Sequence, residues 1–551
     1  MNKTFRNAFF MLAAGALAVG CADYDETNDF SAQPDPTFVE PYKDLAPVKS
    51  YLDRSKYPNM SLGATLKVTD FNKQELAHAA AITNFDDLAF GTTLMSGTIV
   101  NAKGVMNFLD MKDLLDHVQD IGGKVFGSPI AANANQADGW LNLLTAPIEV
   151  MVDYVEGKKV DYTTYSVGAF DGTVEKGKAS IANYDGMSAL KVEASANVRV
   201  VEGFDVDSLA KYTITLWVRA DKKATFSVYF SGTKVDGPTN GSYSIEGGGN
   251  WKKLVIEAQS APGETEGYLR INNTRATPVY VQKVDVGYFP DNHRPQTEQE
   301  VTDTIHYAIN AWCDGLMKIN EGRITSFDLI DEPLNAKELL DNGMLDIKHS
   351  ADKQIFWQDI FGSENYAPTV SKAASDAYER YGGDPAALRF FISETGLEND
   401  QRMKSLMYWI GVWDKNGAKI DGINAKVNLT YSEDAAKQEA NRASLDNLLD
   451  NLAATGKLIR ISNFDIKYQN ANGGSVPAKE ISTEQRQRLA DYYAYAIKTY
   501  MSKIPNELQA GICKGNLADT GDPVGLWSVN TKSDWVRTAT YKAFCDALSG
   551  Q

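Results

Sequence analysis

Cysteine, histidine and long apolar runs are all scarce in this chain, and each scarcity removes a class of protein. Only four cysteines occur in 551 residues. Cys21, Cys313, Cys513 and Cys545 form no Cys-x-x-Cys pair, so neither a disulfide framework nor a zinc knuckle is supported. The five histidines, His78, His117, His293, His306 and His349, fall in no His-Glu-x-x-His spacing. No metal centre and no cofactor are therefore expected. Excess positive charge is lacking too. A formal net charge of −17 has the wrong sign for meeting nucleic-acid phosphates, and no nucleic-acid partner is expected. The one sustained apolar run, residues 8–20, is too short to span a bilayer.

That run has the form of a targeting segment instead. Lys3 and Arg6 precede it, and Ala18-Val19-Gly20 leads directly into Cys21, as in a secretory signal. The pattern resembles a bacterial lipobox, which implies a lipidated Cys21 and an outer-membrane anchor. Asp23, Asp25 and Glu26 follow, and that acidic stretch resembles the surface-export signal of Bacteroidetes lipoproteins, so an outward-facing location is expected. Residues 22–56, with Pro34, Pro36, Pro41 and Pro47, read as an extended tether.

The rest has globular composition, with 43% hydrophobic and 10% aromatic residues. Its length calls for two or three domains. Residues 57–160 alternate short apolar runs with helical periods: a strand at 61–66, a helix at 71–82, a strand at 85–94, a helix at 111–118 and a strand at 124–127. This pace implies parallel β/α units. Over 161–289 helical periods vanish, and short alternating strands appear between Gly/Asn/Asp-rich turns, an all-β sandwich pattern. Strand–helix alternation resumes over 290–551, with helices at 300–317, 357–381, 401–413, 435–455 and 482–501. The fold expected is a (β/α)8 barrel interrupted by a jelly-roll-type sandwich.

Barrel enzymes place their chemistry at the C-terminal ends of the strands. Glu332, Glu394, Asn428, Asn463 and the residues after Gly127 are therefore expected to face one cavity. Retaining hydrolysis of a glycosidic bond needs two carboxylates about 5–5.5 Å apart, one as general acid and one as nucleophile. Glu332 suits the first role. The strand expected at 458–466 delivers Asn463 to the second position, and an amide is a very poor nucleophile. Asp465 shares a strand face with Asn463 and is the one alternative carboxylate there.

The segment Phe327-Asp328-Leu329-Ile330-Asp331-Glu332 resembles the acid/base segment of glycoside hydrolase family 10, the endo-β-1,4-xylanases. Trp357-Gln358-Asp359-Ile360-Phe361-Gly362, Phe391-Ile392 to Leu397-Glu398 and Ile420-Asp421-Gly422-Ile423 follow that family's order and spacing. The resemblance implies a barrel whose cleft holds a polysaccharide or oligosaccharide, with sugar contacts from Asn133, Asn135, Asn428, Asn463 and Trp527. It also implies a carbohydrate-binding role for the sandwich, where Trp217, Trp251, Tyr229, Tyr243, Tyr268 and Tyr280 are the aromatic candidates. The departures are systematic. Thr92-Thr93-Leu94-Met95-Ser96 stands where the family has Glu-Asn-Glu-Met-Lys. Asn428 stands for the histidine that supports the nucleophile, Asn463 for the nucleophile and Lys514 for a tryptophan. The expectation is a surface lipoprotein that binds glycan through a disabled barrel, accompanying an outer-membrane glycan importer. The alternative is an active endo-β-1,4-xylanase.

Overall fold

Eight parallel strands close into a barrel in a computed structural model that describes residues 41–207, 210–290, 292–350, 354–529 and 534–550. In chain order they are β1 (Ser61–Thr65), β2 (Asp87–Ala89), β3 (Lys124–Phe126), β4 (Ser326–Asp331), β5 (Arg389–Thr395), β6 (Gly422–Lys426), β7 (Leu458–Ser462) and β8 (Gln509–Lys514). Neighbouring strands pair in parallel from β1 through β2 to β3, and from β4 through β5, β6, β7 and β8 back to β1. The chain just beyond β3 closes the ring: Gly127 bridges Phe327, and Ala131–Ala132 pairs with Ile330 and Asp331 of β4. A side chain at Gly127 would collide with the Phe327 ring.

The strands bury an apolar face against the helices around them. Leu62, Leu88, Val125, Leu329, Ile392, Ile423, Ile459 and Ile512 lie in one continuous core with the helices around them. Helix starts are set locally. Asn399, Asp434 and Thr538 accept backbone N–H bonds as N-caps, and Ser482 with Gln485 forms a capping box.

The described residues divide into two compact units, one within 41–145 and 299–550 and one within 146–298. The second unit is a β-sandwich with its own core. One sheet runs Thr233–Val235, Ala224–Phe230, Glu266–Asn273, Ala196–Asp205, Val174–Lys176. The other runs Lys252–Ala258, Lys211–Arg219, Val279–Phe289, Met187–Val192, Ala179–Tyr184. Burial alternates along the strands; Ala224–Phe230 is buried at every second position, the mark of one face in the core. Tyr243 and Tyr280 belong to the buried set. Tyr229 and Tyr268 face outward, half-buried, with the Arg270 and Arg199 guanidinium groups 4.1 Å and 4.2 Å from their ring centres.

Several sequence expectations are corrected. Within the stretch 22–56 read as tether, residues 41–56 pack on the barrel. Val48 and Leu52 are buried, and Arg537 donates to the carbonyls of Tyr42, Lys43 and Leu45. The helix at 71–82 is two helices, Val68–Asn72 and Leu76–Asn84, because Gln74 turns left-handed at φ 56°. Of the strand at 85–94 only Asp87–Ala89 pairs, and Gly91–Leu94 is a 3-10 turn. The helix at 357–381 breaks at Gly362, φ 79°, into Trp357–Phe361 and Tyr366–Arg380. Cys21 and the signal segment lie outside the described residues.

Candidate functional site

The C-terminal strand ends gather Asp331 at the end of β4 and Glu332 just after it, Lys426 at the end of β6, Asn463 after β7 and Lys514 at the end of β8. Asp331 and Glu332 are held by ammonium groups. Lys426 Nζ donates to Asp331 and, at 3.2 Å, to Glu332 Oε1. Lys348 Nζ lies 3.8 Å from Glu332 Oε2. The Ser393 hydroxyl donates to Asp331 at 2.6 Å. Burial works to lower the Lys426 pKa, but the Asp331, Glu332 and Asp328 carboxylates outweigh it and hold the amine above its usual range. It is therefore charged at neutral pH. The Glu332 side chain is 34% exposed, so it can be reached from solvent.

Glu332 and Asn463, which follow β4 and β7, both adopt left-handed backbone, with φ 44° and 51°. Asparagine takes this conformation readily, whereas glutamate does so at a cost of about 1–3 kcal/mol. The surroundings impose it: the Glu332 N–H donates to the Ser393 carbonyl at 2.8 Å, and the Phe464 N–H after Asn463 donates to the Cys513 carbonyl at 3.1 Å. Both turns aim their side chains from the strand ends in a fixed way.

Asn463 is exposed and makes no side-chain hydrogen bond among the described residues. Asp465, the alternative carboxylate, is not free. It accepts from Lys514 Nζ, from the Asn516 N–H at 3.2 Å and from Asn516 Nδ2 at 2.6 Å. Lys514 is fully buried, and burial depresses its pKa against the opposing pull of Asp465. A carboxylate that neutralises a buried lysine has little freedom to approach an anomeric carbon.

Below this layer the barrel interior is also polar. Asn424 Nδ2 donates to both oxygens of Asp328, at 3.1 and 3.0 Å. Burial lifts the Asp328 pKa to about 7, reinforced by Asp331 and opposed by Lys426. Arg460 grips Asp87 with two bonds of 3.0 and 2.8 Å. Gly63 makes room for that pair, since a Cβ there would stand 2.4 Å from Asp87 Oδ1 and 2.7 Å from an Arg460 nitrogen.

The remaining sequence candidates divide. Asn428 is exposed near the mouth and donates weakly to Thr395 Oγ1 at 3.4 Å. Asn133 accepts from Gln358 at 2.9 Å, while its Nδ2 is buried without a partner. Asn135 is exposed, but its amide is engaged, donating to the Thr92 carbonyl at 2.9 Å and the Thr98 hydroxyl at 3.1 Å. It braces a loop. Trp527 is buried, with ring contacts to Trp535 and Tyr541 at 5.8 and 5.3 Å, so it offers no open face for a sugar. Glu394 does not face the cavity. It is fully buried, bound by Arg402 at 2.7 Å and by the Leu334 and Thr395 N–H groups. Burial outweighs Arg402 and raises its pKa.

Asp331, Lys426 and Lys348 are the residues that sequence reasoning missed. The period of two along β6 puts Asn424 and Lys426 on one face, and that signal was available for Lys426. Lys348 follows a hairpin of Leu334–Leu339 with Leu345–Ile347, for which no local pattern exists.

Residues 288–544 match the Glycosyl hydrolase family 10 model, just under half of the chain. Among solved structures, a GH10 endoxylanase from a sugarcane soil metagenome is similar at a TM-score of 0.52 and 9% identity, over 92% of this chain and 100% of that one. Xylanase B from Clostridium stercorarium F9 gives 0.51 and 9%, over 91% and 100%. Xylanase10C from Cellvibrio japonicus gives 0.51 and 10%, over 90% and 72%. These likenesses establish the barrel fold. No curated protein matches the chain.

Proposed function

We propose that this chain binds a polysaccharide in a family 10-type barrel mouth that no longer hydrolyses it. One observation carries the reading. The strand end that must supply a nucleophile presents Asn463, and the neighbouring carboxylate, Asp465, is committed to Lys514 and Asn516. Without a second free carboxylate no glycosyl ester forms. Glu332 is engaged by Lys426 and Lys348, whereas a general acid has to deliver a proton to a glycosidic oxygen. The mouth keeps donors and acceptors suited to sugar hydroxyls at Glu332, Asn428 and Asn463.

The sandwich serves the same ligand in this reading, as a carbohydrate-binding module. Lipidation at Cys21 holds the protein on the outer membrane facing outward, beside an importer that takes up the glycan. The polysaccharide-related family match supports xylan as the first ligand to try.

The test is a panel of plant and host glycans with the purified protein, following binding by calorimetry and reducing-end release in the same samples. Saturable binding without product over a long incubation is expected. Steady release of xylo-oligosaccharides that Glu332→Gln abolishes would establish the active xylanase instead.

A further inference from the structure

The opposite, N-terminal mouth of the barrel holds a cavity of about 920 Å³. Six cationic side chains line it, Lys49, Arg54, Lys124, Arg323, Arg389 and Arg460, against two carboxylates, Asp86 and Asp87. That local excess runs against a chain whose net charge is −17.

Three of these cations are neutralised. Arg54 pairs with Asp86 at 2.6 Å, Arg460 with Asp87 at 2.8 Å, and Arg323 with Asp116 at 2.6 Å. The other three form no ion pair among the described residues. Lys49 Nζ donates to the Ile82 and Phe85 carbonyls, at 2.8 and 3.3 Å. Arg389 donates to the Ala386 and Leu388 carbonyls, at 2.7 and 2.9 Å. Lys124 is exposed and has no carboxylate within ion-pair distance among the described residues. Carbonyl bonds fix the positions of Lys49 and Arg389 without cancelling their charge.

A second observation points the same way. Arg460 is 2% exposed and lies with its guanidinium 4.0 Å from the Phe126 ring centre, yet its Nε has no hydrogen-bond partner. Buried donors are rarely left unsatisfied. A cluster that served stability alone would repel itself. Concave walls of low dielectric also focus the field of like charges and concentrate a counter-ion.

We propose that this mouth binds a small molecule carrying two or more oxyanion groups, of the size of a sugar phosphate or sugar sulfate. The cavity volume lies in the range of ordinary small-ligand sites, about 300–1,000 Å³. Arginine forks and lysine ammonium groups are the side chains that recognise such groups.

Calorimetric titration at low ionic strength, with inorganic pyrophosphate, a disulfated disaccharide and cellobiose as the neutral control, tests this. Saturable one-to-one binding of at least one anion is expected, with none of cellobiose at this mouth. Binding should fall at least tenfold in Lys49→Met/Arg389→Met and should weaken steadily with added salt. Response to pyrophosphate alone assigns a phosphate-bearing ligand, and response to the disaccharide alone a sulfate-bearing one. Arg389→Met by itself supplies the reading if the double variant fails to fold. No saturable binding of either anion, binding unchanged in these variants, or binding lost in Lys348→Met at the other mouth would overturn the proposal.

Discussion

Replacing Asp465 by alanine is expected to destabilise the barrel by about 3–5 kcal/mol, the scale for stranding one member of a buried ion pair. The Lys514 side chain is fully buried, and the Asp465 carboxylate is its counter-charge. Removing Asp465 leaves a buried ammonium group whose remaining carboxylate neighbour, Asp519, is already paired with Arg486. Burial already depresses the Lys514 pKa below the ordinary 10.5, and losing Asp465 deepens that depression. A group whose folded-state pKa is depressed withdraws stability at pH values below that pKa, and the penalty disappears by the unfolded value. The deficit of Asp465→Ala should therefore shrink as pH rises toward 10, and Asp465→Ala/Lys514→Met should regain most of it. Denaturant midpoints across this pH range measure the effect. An Asp465→Ala protein as stable as the parent would show the carboxylate to be free, and so available for chemistry.

Asp328→Asn is expected to stabilise the protein, and by more at pH 8 than at pH 5. Burial raises the Asp328 pKa from 3.8 to about 7, so the folded state binds a proton that the unfolded chain has lost. Stability then falls with rising pH from about 4 to 7 and is level above. One pKa unit corresponds to about 1.36 kcal/mol, so the gain should differ by about 3 kcal/mol between the two pH values. The amide suits the site, because Asn424 Oδ1 is buried without a donor and Asn424 Nδ2 already bonds this side chain. Thermal unfolding at both pH values decides it; equal effects would show that Asp328 stays ionised in the fold.

The barrel was legible because its signals are local and repeated. Apolar strand runs and helical periods recur on both sides of the sandwich, and the sandwich alternates with a period of two. What failed were features set by single residues or by distant partners. Gln74 and Gly362 break helices whose hydrophobic periods run straight through the break. Residues 41–56, proline-bearing and polar in part, pack because Val48 and Leu52 find a hydrophobic surface that only the folded barrel supplies. Glu394 has the strand-end position of a catalytic group, yet Arg402, eight residues on, draws it into the wall.

At the mouth, sequence identified Glu332 and Asn463 but not the ion-pair layer around them. Lys426 reaches from β6 across to Asp331 and Glu332 of β4, a relation that strand order alone does not reveal. Trp527 illustrates the reverse error. An aromatic near the last strand reads equally as platform or core, and Trp535 and Tyr541 make it core. Asn135, similarly, spends its amide on its own loop.

An aryl glycoside with a dinitrophenolate leaving group isolates the step proposed to be lost, because that group departs without protonation and the outcome depends on the attacking carboxylate alone. The protein at high concentration, mixed with dinitrophenyl β-xylobioside and β-cellobioside, should release no dinitrophenolate above the spontaneous rate, whether or not Glu332 is changed to Gln. A burst equal to the protein concentration, lost in Asp465→Asn, would contradict the account and identify Asp465 as a working nucleophile.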